Sequence, residues 1–135
     1  MDTLTRTPHS FGTRIAAPYA TAVEQVKEAL REEGFGILSE IDVQQVLKEK
    51  RNVDFRPYVI LGACNPPLAE RAFSADLDVG LLLPCNVVVY QDDGASVVEV
   101  ADPEAMLEVL KRPELLPVAS EAKAKLERAI ERLAP

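Results

Sequence analysis

The chain contains two cysteines, each followed by asparagine with a proline close by: Gly62-Ala63-Cys64-Asn65-Pro66-Pro67 and Leu83-Pro84-Cys85-Asn86-Val87. Cysteine is the one residue type here able to act as nucleophile, redox couple or soft metal ligand. Cys64 lies just before an asparagine-proline helix start. There the unpaired N–H groups and the helix dipole favour negative charge, so a thiolate would gain stability. Asn65 could cap that helix or hold a substrate carbonyl, and Pro66 fits the first helical position because it has no N–H to lose. Against this stands the plain structural account. Free cysteine is among the most buried residue types, where it behaves as a small hydrophobe and burial keeps it protonated.

Whether the two motifs act together depends on strand direction. If the strand ending at Cys64 and the strand starting at Cys85 are antiparallel neighbours, both thiols lie at one end of the sheet, near enough for the Cα spacing of about 4.4–6.8 Å that a disulfide accepts. A right-handed parallel crossover would put them at opposite ends. Metal binding has little to work with, since zinc wants four ligands and the sole histidine, His9, falls in a segment expected to be a tail. No metal and no cofactor is therefore expected. No glycine-rich phosphate loop and no Gly-x-Ser-x-Gly occurs. Asp92 and Asp93 read as turn residues, Asp42 as a cap, and the charges from Lys48 to Arg51 as a solvated helix face.

The elements that must position these residues follow from periodicity. Residues 1–9 are threonine-rich and aperiodic, which predicts a mobile tail ahead of a single domain over 10–135. Residues 10–16 alternate as a first strand. Pro18 and the capping-box pattern Thr21-Ala22-Val23-Glu24 open a helix with Val23, Val26 and Leu30 on one face, and Gly34 stops it. Residues 35–41 form a second strand, and Asp42 caps a second helix with Val43, Val46 and Leu47 inward. The run from Tyr58 to Cys64 has no polar face and predicts a central strand covered on both sides. A third helix follows from Asn65. Residues 85–91 and 95–100 make a hairpin across Asp92-Asp93-Gly94, with Cys85, Val87 and Val89 sharing one face. Asp102-Pro103 caps a short helix, and a last helix carries Ala122, Leu126, Ala129, Ile130 and Leu133 on one side. The expectation is an α/β (α+β) domain: one mixed sheet of about five strands with helices packed on it, in the order β-α-β-α-β-α-β-β-α-α.

Composition narrows the functional classes. A chain of 135 residues, 47% of them hydrophobic, is long enough for one well-buried core. The net charge of −7 disfavours nucleic acid and anionic membrane surfaces, both of which select basic faces. No apolar run approaches the ~20 residues of a membrane span. The start, Met1-Asp2-Thr3-Leu4-Thr5-Arg6, lacks the layout of a signal peptide. Two cysteines beside an ample core do not make a disulfide framework, and they fit a cytoplasmic protein with reduced thiols.

The stretches Gly34-Phe35-Gly36-Ile37 through Glu40-Ile41-Asp42-Val43, Tyr58-Val59-Ile60-Leu61-Gly62-Ala63-Cys64-Asn65-Pro66 and Gly80-Leu81-Leu82-Leu83-Pro84-Cys85-Asn86-Val87 together resemble the domain-of-unknown-function family 302. The resemblance runs from about residue 14 to the Asp102-Pro103 helix, and the cysteine motifs are its most specific parts. It implies an α/β sandwich of the kind found in small bacterial and archaeal proteins, and it implies no particular reaction. One departure is visible: where such proteins often carry a glycine after the second helix, this chain has Lys50-Arg51-Asn52-Val53. Asn52 can still adopt the left-handed conformation, so a changed loop and an unchanged fold are expected.

The sequence thus favours a non-enzymatic ligand-binding or interaction module with a cleft lined by Cys64, Asn65, Cys85 and Asn86. A homodimer is a further expectation, from the commonness of cyclic symmetry and a spare apolar helix face, the last helix packing either on the sheet or against a second subunit. The alternative is a thiol-based redox or sulfur-transfer protein using Cys64, with Cys85 as resolving thiol.

Overall fold

The computed structural model describes residues 2–135. The chain runs β1 (Thr5–Arg6), β2 (Ser10–Ile15), α1 (Tyr19–Glu32), β3 (Gly36–Asp42), α2 (Val43–Arg51), β4 (Tyr58–Cys64), α3 (Pro66–Ala75), β5 (Cys85–Asp92), β6 (Ala95–Ala101), α4 (Pro103–Glu108) and α5 (Leu116–Glu131). Short 3₁₀ turns at Leu77–Leu81 and Pro113–Leu115 complete it. Apart from β1, this is the order that periodicity predicts.

The sheet has six strands in the order β1-β2-β6-β5-β4-β3, and every neighbouring pair is antiparallel. The expected mixed sheet is corrected to a wholly antiparallel one, while the expected count of about five strands is roughly met, with the two-residue β1 as the sixth. Asp42 ends β3 and caps α2 directly, its carboxylate accepting from the Gln45 amide at 3.0 Å. The helix then ends on Asn52 at φ 53°, and the chain returns beside the strand it left. A connection that turns back this way gives an antiparallel neighbour and no crossover.

One face of the sheet holds the main core. Phe11, Val59, Leu61, Ala63, Val87, Val89, Val98 and Val100 pack against Val26, Ala29 and Leu30 of α1 and Leu126, Ala129 and Ile130 of α5. Each fully buried aliphatic side chain there contributes about 1.5–3 kcal/mol of transfer free energy. The last helix therefore has its apolar face on the sheet, which removes the basis for assigning it to a second subunit. In β4 the side chains alternate between buried and partly exposed, so this strand is covered on one side only. On its other face Tyr58 and Ile60 are apolar and partly exposed, while Gly62 is buried beneath Ser39 and Pro84, so the sequence reads as a strand buried on both sides. A second cluster, including Leu68, Ala72, Val79, Leu107, Val118 and Ala122, joins α3, α4 and α5 beyond the sheet's end.

Two local readings change at the N-terminal side. Thr5 and Arg6 pair with Gly12 and Phe11, and Leu4 is buried, so the middle of the segment read as a tail is built into the sheet edge. Arg6 also bridges to Glu127 on α5. His9 is exposed as expected, with its carbonyl held by the Asp102 amide at 2.9 Å. The Thr21–Glu24 capping box is not used. The helix starts at Tyr19 behind Pro18, with no side-chain cap, because the fixed φ of proline already sets the entry. Gly34, at φ +86°, ends α1 as the sequence predicts.

Candidate functional site

Cys64 ends β4 and Cys85 begins β5, and the two strands are antiparallel neighbours. Both thiols therefore lie at one end of the sheet. The register pairs Ala63, not Cys64, with Cys85. Successive residues of a strand point to opposite faces. Cys85 thus shares the core face with Ala63, while Cys64 starts from the other face. Cβ vectors that point apart oppose a disulfide, and both cysteines are free.

The neighbouring asparagines have separate jobs. Asn65 caps α3, its side-chain oxygen accepting from the Leu68 amide at 3.3 Å while its Nδ2 donates to the Glu33 carbonyl at 3.4 Å. That second bond fixes α3 to the end of α1. Asn86 is exposed, and its side chain has no hydrogen-bond partner among the described residues. At Gly62 a β-carbon would collide with the Ser39 hydroxyl and lie 2.8 Å from the Pro84 ring. Ser39 and Pro84 are thus what approach the backbone at this glycine.

All four of the motif residues line one cavity of about 280 Å³ between the sheet's end and the second cluster. Its walls come from strand ends (Ala63, Leu38), from α3 (Leu68, Ala69, Ala72, Phe73), from the 82–84 segment, and from Met106, Leu107, Val118 and Ala122. None of the lining residues is charged, in a chain where 27% of residues are. The only titratable side chains on the wall are the two thiols. Burial pushes the Cys64 thiol up. Cys85 is pushed up to about 11, first by burial and then by the nearby Cys64 charge. A thiolate at a helix start would need the opposite shift, so the surroundings favour two neutral sulfurs. No carboxylate or imidazole on the wall is available for general acid–base work. Among the described residues no group of three or more His, Cys, Asp or Glu is placed to hold a metal ion.

The model of the domain of unknown function DUF302 matches residues 11–133, nearly the whole chain. The chain belongs to the DUF302 family. It is similar to the crystal structure of the uncharacterized conserved protein DUF302 from Bacillus stearothermophilus, at 32% identity and a TM-score of 0.85, over 92% of this chain and 97% of that one. No curated protein matches. Asn52 takes the left-handed conformation after α2 at φ 53°, ψ 38°, as the sequence reading expects. Among the described residues of this DUF302 chain no helix is long and apolar enough to cross a membrane.

Sequence reasoning found only the two Cys-Asn pairs of this wall and missed the rest, Met106, Phe73, Leu82 and Val118 among them. Met106 adds a third sulfur, on the short helix that the sequence marks only by its Asp102-Pro103 cap. Exposed Leu38 and Phe73 also belong to the wall, so its apolar character continues to the surface.

Proposed function

We propose that this DUF302 protein is a non-enzymatic binding module whose cavity takes an uncharged, predominantly apolar small molecule. The observation that supports the reading is the wall itself: no charge, three polarizable sulfurs, and one free amide on Asn86 to orient a polar atom. An ionised ligand entering such a wall would lose its hydration without finding a counter-charge. The volume corresponds to roughly nine water molecules at ~30 Å³ each, which suits a ring system or a short chain. Two unpaired thiols fit a reducing compartment such as the cytoplasm.

Thiol redox or sulfur transfer through Cys64, with Cys85 resolving, has less support. The register sets Ala63, not Cys64, opposite Cys85, both cysteines are free, and burial raises both thiols. The test is a matched pair of fluorescent probes, neutral N-phenyl-1-naphthylamine and anionic 1-anilinonaphthalene-8-sulfonate. The neutral probe is expected to bind at least about tenfold more tightly, a difference of about 1.4 kcal/mol. Equal binding of both, or binding of neither, would contradict the reading.

A further inference from the structure

We infer that the uncovered face of the sheet is the interface of a homodimer in which Arg14 of one copy meets Glu99 of the other. The register lays two rows across four strands of this face. One row is Gly12, Glu99, Val88 and Ile60; the next is Arg14, Val97, Tyr90 and Tyr58. The helices α1 and α5 pack on the opposite face, which leaves Ile60, Val88 and Val97 partly exposed at the centre of this one. Tyr58 and Tyr90 stack beside them with ring centroids 5.3 Å apart, and the Arg56 guanidinium sits 5.9 Å from the Tyr90 ring. Aliphatic centre, aromatic pair and arginine make the composition of an interface core.

Charge identifies the occupant. The ionised side chains on or bordering the face are Arg14, Arg56, Asp92 and Glu99, two of each sign, on a chain whose net charge is −7. Two copies repel over most of their surface, and here they do not. Glu99 is half-buried, its only side-chain partner is the Ser10 hydroxyl at 3.3 Å, and it has no ion pair among the described residues. A two-fold axis running across the strands between the two rows sets Arg14 of one copy above Gly12 of the other, about 5 Å to the side of Glu99. Gly12 adds no side chain at that point, where its backbone is already buried within one copy. Arg14 is exposed and already reaches Asp92 at 2.6 Å, so its guanidinium stands at this surface. The inference is independent of the cavity and of what the cavity binds.

Sedimentation equilibrium of the full chain at about 100 µM tests it, since dimer population depends on protomer concentration. The expected mass is twice the 14.8 kDa of one chain. Val88→Asp is expected to give monomer. Arg14→Glu and Glu99→Arg are each expected to weaken association at least about tenfold, and the double reversal to restore it. Should Val88→Asp fail the circular-dichroism check for folding, the reversal pair decides alone. A monomeric wild type, or a dimer that both reversals leave intact, overturns the inference.

Discussion

Alkylation of the two thiols distinguishes a binding cavity from a redox centre, and the structure fixes its scale. Cys85 is raised from 9.0 to about 11. At pH 7 the thiolate fraction is therefore about 10⁻⁴, against about 10⁻² for an unperturbed group, because each pH unit below the pKa costs a factor of ten. Ionisation alone slows iodoacetamide about 100-fold at Cys85, and restricted access slows it further. Cys64, half-buried and also raised, is expected to react faster than Cys85 and still more slowly than a free thiol. Single-cysteine variants Cys64→Ser and Cys85→Ser, followed by intact mass spectrometry at several pH values, separate the two rates. The Cys85 rate should climb about tenfold per pH unit through pH 9 with no plateau. Linkage gives a companion readout. A thiol that keeps its proton in the folded state supplies stability that is present below pH 9 and is lost as pH rises toward 11. Wild type should therefore lose about 2 kcal/mol more than Cys85→Ala across that window. Alkylation of Cys64 at pH 7 at or above the free-thiol rate, or a plateau below pH 8.5, would refute the reasoning and favour sulfur chemistry.

Gly12→Ala is expected to destabilise the protein by more than about 3 kcal/mol, because the added β-carbon lands on the Val98 carbonyl oxygen and 3.0 Å from the Glu99 Cα, both backbone atoms of a paired strand; urea melts read this, and a loss under 1 kcal/mol would contradict it. Glu33 closes the end of α1 onto α5 through Arg128 and Arg132. Burial alone would raise its carboxyl, yet the hydrogen bonds from the two arginines hold it below its usual value. Its stabilising contribution is thus present above the ordinary carboxylate range and is lost as pH falls through the depressed value. Glu33→Gln should cost about 1 kcal/mol at pH 7 and progressively less as pH falls, checked by denaturation across an acid series.

Local chemistry was legible where a few adjacent residues decide the outcome. Asp42, Asn65 and Asp102 each cap the helix they precede, Gly34 and Asn52 end theirs in the left-handed region, and Asp93-Gly94 turns the hairpin. The cysteine motifs were placed correctly at strand ends for the same reason. What the sequence hid depends on distant partners. Two residues of β1 have no periodicity to display, and Leu4 is buried only because it joins the main core formed by distant segments. In β4 both faces are apolar, so no pattern distinguishes the enclosed side from the open one. The cavity wall draws on positions from Phe35 to Ala122. No spacing rule links Met106 to Cys85, and only the meeting of α3, α4 and α5 beyond the sheet's end brings them together.

The most direct test of the cavity as a binding site is to fill it. Ala69 is a partly exposed wall residue on α3, so Ala69→Phe directs its ring into the void with limited strain on the core. Titrating N-phenyl-1-naphthylamine into wild type and variant should show saturable binding to the first and at least about tenfold weaker binding to the folded variant. Equal affinity in both would place the ligand elsewhere and contradict the account.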